Sequence, residues 1–253
     1  MTSPSHDLCR CLGQRLDRPP QIVKFHKERQ DTQAPGWQRL LELIEEAAED
    51  RRKEFKPLTE LTPEHRRQIV TLPPTIGRLT SVRHLVLYRS NLVRIPPEIG
   101  MMTSLEEFDP YTSYRLHWFP YELTRCPNLK RSTVSTRALY GNYKYRPPFP
   151  ELASEIDRIG ELRPGTWGAT SIQTCSVCGT PIGNSGPIQA WISLRIATDV
   201  LPLLVNACST ACIEALPTPP EDYVQTPHRG GPTVEQPPLR TCSDGPARST
   251  RAT

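Results

Sequence analysis

Four cysteines in two close pairs are the residues of this chain whose types and spacing best suit metal chemistry. Cys175 and Cys178 stand in CSVCG, and Cys208 and Cys212 stand in CSTAC, with residues 179–207 between the pairs. A tetrahedral ion needs four thiolates, and each pair supplies two of them from one local turn. Because cysteine fills all four positions, none is left for water. The spacing therefore predicts a structural Zn²⁺ ion and not a catalytic one.

The segments around the cysteines predict the elements that position them. Gly179 suits a tight turn after the first pair, QAWISLRIA predicts a strand of a hairpin, and CSTACIEAL predicts a helix that Pro217 ends. This order of knuckle, hairpin and helix resembles that of the treble-clef zinc fingers. An iron–sulfur cluster also takes four cysteines and stays a second possibility. A redox C-x-x-C is disfavoured, because CSVCG runs directly into glycine and proline instead of opening a helix.

The other four cysteines form no comparable set. Cys9 and Cys11, near His6, are interpreted as thiols on a mobile tail, with a second metal site as the alternative. Cys126 is predicted to lie in the core, and Cys242 is interpreted as incidental.

Three self-similar segments, TLPPTIGRLTSV, RIPPEIGMMTSL and WFPYELTRCPNL, precede the cysteine module. They recur at intervals of 23 and then 24 residues, which place Leu72, Ile95 and Phe119 at equivalent positions. This period and the motif LPxxIGxL resemble the leucine-rich repeat family. The resemblance implies an α/β solenoid made of a short leucine-rich repeat, with N-terminal capping helices and a small C-terminal zinc-binding domain.

Alternate residues of the predicted repeat strands would face the concave surface and form a partner-binding face. These residues are His84, Val86 and Tyr88 in the first strand, Glu107, Asp109 and Tyr111 in the second, and Arg131, Thr133 and Ser135 in the third. Their charges are mixed in sign, unlike the basic stripe that a phosphate backbone requires. The face therefore favours a protein partner, with the two tyrosines as its main contacts. The alternative is a solvated sheet surface on which Glu107 and Arg131 pair across strands.

Composition, helical periodicity and the resemblance to leucine-rich repeats together divide the chain into five predicted regions. They are a disordered tail over 1–35, capping helices over 36–70, leucine-rich repeats over 71–152, the zinc module over 153–216, and a proline-rich disordered tail over 217–253. The helices are expected where Trp37, Leu40, Leu41 and Ile44 recur at helical spacing, and where Thr62 and Pro63 form a typical helix start. A docking peptide is the alternative role for the first helix.

Missing motifs and the lack of long apolar runs limit the classes of function. The chain has no P-loop, HExxH or GxSxG motif, so we expect no enzyme. It has neither the apolar core of a signal peptide nor a run of about 20 apolar residues, which predicts a cytoplasmic protein without membrane association. The leading hypothesis is a protein-interaction module. The alternatives are a nucleic-acid-binding protein acting through its zinc module, and an adaptor or regulatory component of an enzyme system such as a ligase.

Overall fold

The computed structural model of the chain describes His26 and residues 28–135, 148–152 and 172–238. Its strands are, in chain order, β1 (Glu54–Phe55), β2 (His84–Val86), β3 (Glu107–Asp109), β4 (Phe119–Pro120), β5 (Arg131–Ser132), β6 (Ile188–Ile196) and β7 (Asp199–Ala207). Its α-helices are α1 (Pro35–Glu49), α2 (Pro57–Glu60), α3 (Pro63–Arg67) and α4 (Thr210–Glu214). The described residues also form the short 3-10 helices η1 (Pro74–Arg78), η2 (Pro97–Met101) and η3 (Tyr121–Arg125).

Helices α1 and α3 form where the sequence predicts them. The apolar face of α1 buries Trp37, Leu40 and Ile44, and a proline occupies its first turn, where no donor is needed. Thr62 is the N-cap of α3, since its hydroxyl accepts the His65 N–H at 3.1 Å. Both helices therefore arise from local signals, an apolar stripe in one case and a cap in the other.

The first sheet is parallel, with the strand order β1-β2-β3-β5. Its register places His84 opposite both Glu54 and Glu107, and Glu107 opposite Arg131. The strands are only two or three residues long. Exposed or partly exposed residues alternate with buried ones, and Leu85 and Phe108 are the buried middle residues of β2 and β3. Helices η1 and η2 lie between successive strands and bury Ile76 and Ile99.

The second sheet has three strands in the order β4-β7-β6. Strands β6 and β7 form an antiparallel hairpin that turns at Ala197, which has a left-handed φ of 53°. Strand β4 pairs in parallel with β7, with Phe119 opposite Leu203. The segment around Phe119 thus joins the cysteine-bearing region directly.

The predicted α/β solenoid, a short leucine-rich repeat with N-terminal capping helices and a small C-terminal zinc-binding domain, is wrong as a fold class. The described residues form a mixed α/β fold with two sheets, and one hydrophobic cluster includes residues from α1, from both sheets and from the cysteine region. The physical reason lies in the third self-similar segment, whose Phe119 and Pro120 pair with β7 and so join a second sheet, which contains an antiparallel hairpin, to the parallel one. The resemblance to leucine-rich repeats stays a prediction.

Segments at both ends of the described chain are hydrogen-bonded to the rest of the fold. The Gln30 side-chain carbonyl accepts the Val70 N–H at 2.9 Å, and its amide donates to the Gln68 carbonyl. In the segment after α4, His228 exchanges two backbone hydrogen bonds with Trp191 at the outer edge of β6. Among the described residues, no helix is long and apolar enough to span a membrane.

Candidate metal centre and sheet face

Cys175, Cys178, Cys208 and Cys212 lie together, with all four sulfur atoms within 4.8 Å of one another. The Sγ of Cys208 lies 3.6 Å from that of Cys178 and 3.7 Å from that of Cys212. A tetrahedral centre with metal–sulfur bonds of about 2.3 Å has sulfur–sulfur separations of about 3.8 Å. None of the four forms a disulfide. The cluster has the donor set and the spacing to hold one metal ion.

Three different local structures present these thiols. Cys175 and Cys178 flank a turn closed by the Gly179 N–H, which donates to the Cys175 carbonyl at 3.0 Å, and Gly179 itself has a φ of 75°. Cys208 directly follows the last residue of β7, and Cys212 lies in the first turn of α4. The predicted helix therefore carries one thiol of the second pair, whereas the other lies before the helix N-cap.

Hydroxyl and amide groups around the cluster hydrogen-bond to its sulfur atoms. The Thr180 hydroxyl lies 3.0 Å from the Sγ of Cys178 and donates to the Sγ of Cys208 at 3.5 Å. The buried Sγ of Cys175 accepts the N–H groups of Val177 and Cys208 at 3.4 and 3.3 Å. Donors of this kind stabilise thiolates and fix the orientation of metal ligands.

The pKa values of the clustered thiols diverge. Hydrogen bonds from Thr180 lower the pKa of Cys178 to about 6 and also lower the pKa of Cys208. The Ser209 hydroxyl lowers the pKa of Cys212, but the neighbouring Cys178 and Cys208 outweigh it and raise that pKa to about 12. Thiolates this close repel one another, so the last proton is held tightly. The positive charge of a cation among the four sulfurs would offset that repulsion, and its binding would release the remaining protons.

The cluster is connected to the rest of the fold through η3. The Arg125 guanidinium donates to the carbonyls of Cys175 and Ser176, at 3.1 and 2.7 Å. The Ser176 N–H in turn donates to the Asn206 carbonyl on β7. The turn that carries the first two thiols is therefore fixed between η3 and the hairpin.

The predicted partner face is the outward surface of the first sheet. Tyr88 and Tyr111 are 47% and 46% exposed, and their rings stack with centroids 6.0 Å apart and planes 28° apart. Val86 and Asp109 are paired neighbours on β2 and β3, both partly exposed. Thr133 is exposed and Ser135 partly exposed, beyond β5. The predicted residues thus lie on three neighbouring strands or directly beyond the ends of those strands.

Ion pairs cross this face. Arg131 contacts the Glu107 carboxylate at 2.7 Å, as the alternative of a solvated surface expects. His84 Nδ1 lies 3.1 Å from the Glu54 carboxylate, and its Nε2 lies 3.8 Å from that of Glu107. Such exposed pairs contribute only about 0–1 kcal/mol each.

The remaining cysteine predictions have two outcomes. Cys126 is buried, as predicted, its Sγ donates to the Ile99 carbonyl at 3.4 Å, and burial raises its pKa to about 11. His6, Cys9, Cys11 and Cys242 lie outside the described residues.

Sequence reasoning missed several residues that support the centre. Thr180 and Ser209 each stand next to or one residue from a cysteine, so hydroxyls beside the pairs were an available signal. Arg125 offered no such signal in the sequence, because it is far from the cysteines along the chain and contacts their turn only in the folded structure.

A scan against models of known protein families found no match, and a search of curated proteins found none either.

Proposed function

We propose that this chain is a non-enzymatic protein-interaction module that binds its partner through the outward surface of the first sheet. The observation that carries the proposal is the stacked pair Tyr88 and Tyr111. Four large apolar or aromatic side chains are exposed in the described part of the chain, and two of them are these neighbours on one surface. Tyrosine is enriched among the residues that dominate binding energy at protein interfaces.

We also propose that the four-cysteine cluster holds a structural Zn²⁺ ion. Two properties support zinc over the iron–sulfur alternative. Four thiolates complete a tetrahedral zinc shell and leave no position for a substrate or water. An iron–sulfur cluster would have to insert several iron and sulfide ions between the thiolates, and sulfurs within 4.8 Å of one another leave no room for them. In this role the ion would contribute folding energy by joining the knuckle, the hairpin and α4.

The test of the interaction function is affinity capture with surface variants. The tagged chain is incubated with nuclease-treated lysate, and recovered proteins are identified by mass spectrometry. We expect Tyr88→Ala combined with Tyr111→Ala to lose a specific partner that the unaltered chain recovers. Met101→Ala is the matched control, because Met101 is 58% exposed but lies on η2.

Circular dichroism and thermal unfolding show whether the double variant keeps its fold. Equal recovery of every protein by the unaltered chain and the folded double variant would remove the sheet face as the binding surface. A dependence of recovery on nucleic acid, lost after nuclease treatment and steeply reduced by salt, would instead support the nucleic-acid hypothesis.

A further inference from the structure

The two tyrosines occupy equivalent places beyond neighbouring strands, and an acidic side chain lies between them along the chain. Tyr88 follows β2 and Tyr111 follows β3, whereas Asp109 is the last residue of β3. Tyr111 is exposed in the turn that follows the strand, and Asp109 is partly exposed at the end of β3. Its carboxylate accepts the Tyr111 N–H at 3.0 Å, which holds it beside the base of that side chain.

The carboxylates of this face differ in how they are neutralised. Glu107 contacts Arg131, and Glu54 contacts both Lys56 and His84. Asp109 forms no ion pair within the part of the chain that the structure describes. The hydrogen bond that its carboxylate accepts comes from the neutral N–H of Tyr111. Asp109 is therefore a carboxylate of this face without an ion pair among the described residues, and it is hydrogen-bonded to the backbone of one of the two exposed tyrosines.

Aromatic faces and a carboxylate together recognise a cation. The negative face of a tyrosine ring attracts a guanidinium or ammonium group, and arginine stacks on such rings better than lysine because its head group is planar. A carboxylate can at the same time accept two parallel N–H bonds from a guanidinium. An acidic or neutral proline-rich peptide would gain only the aromatic contact.

We propose that Tyr88, Tyr111 and Asp109 form a binding site for an arginine side chain of a basic peptide segment in the partner protein. The proposal rests on the proposed function of this face and specifies the chemistry of the partner. The guanidinium would lie against the two rings and form its ion pair with Asp109.

The test uses the full chain and a fluorescein-labelled glycine–serine peptide that carries three arginines. Binding is followed by fluorescence anisotropy. Two peptides serve as references: one has citrulline in place of arginine, which keeps the shape but removes the charge, and one is proline-rich without basic residues. We expect the arginine peptide to bind measurably and both reference peptides to bind at least about fivefold more weakly.

Three variants locate the site. Asp109→Asn keeps an oxygen that can accept the Tyr111 N–H but removes the charge, and we expect it to weaken binding about threefold. Tyr88→Ala and Tyr111→Ala should each weaken binding about fivefold. Glu64→Gln is the matched control for charge, because Glu64 is an exposed carboxylate on α3, and it should leave binding unchanged.

Equal binding of the citrulline or proline-rich peptide, or no effect of Asp109→Asn in a chain that keeps its fold, would overturn the arginine site. The proposed function fails separately. If affinity capture yields a partner that requires the tyrosines but ignores Asp109 and is not displaced by the arginine peptide, the interaction face stands and the arginine site does not. If recovery of every protein ignores the tyrosines as well, both proposals fail.

Discussion

Cys212 and Cys178 reach the same cluster from separate parts of the chain, one in the first turn of α4 and the other beside the knuckle turn. Their sulfurs meet only when the hairpin between them has formed. A thiol cluster of this kind has close like charges as soon as its members ionise, and the raised pKa of Cys212 reflects that repulsion. We therefore expect the folded cluster to require its ion.

Cys212→Ser tests this requirement, because serine removes one ligand and changes the volume little. We expect the variant to lose stoichiometric metal and more than about 3 kcal/mol of the free energy of unfolding, measured by urea denaturation. Cys126→Ala is the control, since Cys126 is buried outside the cluster. It should cost about 1 kcal/mol and keep the metal. Normal metal content in Cys212→Ser would contradict the proposed ligand set.

The lowered pKa of His228 predicts how the free energy of unfolding changes with pH. Burial lowers the pKa of His228 from 6.5 to about 4, and its Nδ1 accepts the Gly230 N–H at 3.1 Å, which requires the neutral ring. The unfolded chain therefore binds this proton more readily than the folded chain. The contribution of His228 is fully present above pH 6.5 and is lost as the pH falls towards 4.

We expect His228→Gln to reduce the slope of unfolding free energy against pH between 7 and 5.5, compared with the unaltered chain. Urea midpoints at several pH values measure this slope. His65→Gln, on α3, serves as a comparison for replacing a histidine elsewhere. If the slope is unchanged in His228→Gln, the claim that the folded state requires a neutral His228 ring is contradicted.

At the scale of single residues, the sequence predicted those whose role is set by their neighbours along the chain. The four cysteines came from spacing, and the Thr62 cap came from its position before Pro63. Arg94 could not be found in this way. It is fully buried, although arginine is rarely buried, and its guanidinium hydrogen-bonds to the Glu28 carbonyl far away along the chain.

At the scale of elements, η1, η2 and η3 lie side by side and their backbones approach closely. A Cβ on Gly100 would lie 2.6 Å from the Glu122 carbonyl oxygen and 2.9 Å from its Cβ, both too close to be tolerated without a shift of η3. A Cβ on Gly77 would first meet the flexible Met101 sulfur, at 3.0 Å. Glycine is therefore required more strictly at Gly100 than at Gly77.

Gly100→Ala should accordingly cost about 1–3 kcal/mol of unfolding free energy, and Gly77→Ala distinctly less. Chemical denaturation of the two variants and the unaltered chain measures the difference. A larger loss for Gly77→Ala than for Gly100→Ala would contradict the described spacing of the 3-10 helices.

The elements were predicted well where their pattern is local and poorly where pairing is distant. Helix α1 and strand β6 follow from the periodicity of their apolar residues. Strand β4 does not, because it has only two residues, one of them proline, and exists through its pairing with β7. That pairing adds β4 to a second sheet, which the predicted solenoid did not include.

At the scale of the whole molecule, the β6–β7 hairpin connects the candidate metal centre to the first sheet. One end of the hairpin leads into Cys208. At the other end, Asp199 accepts a hydrogen bond from the Ser132 hydroxyl on β5 at 3.1 Å, and Thr198 donates to the Ser132 carbonyl at 2.8 Å. Loss of order at the cysteines should therefore reach the edge of the sheet whose surface we propose as the binding face.

The most direct test of the central claim is metal analysis of the purified chain combined with counting of reactive thiols, before and after chelation. We predict about one zinc ion per chain, four of the eight cysteines protected from thiol reagents by the ion, and a loss of cooperative unfolding once the ion is removed. A metal-free chain with no thiols protected at the cluster, and with a stability that chelators leave unchanged, would contradict the claim that a structural zinc ion holds this fold together.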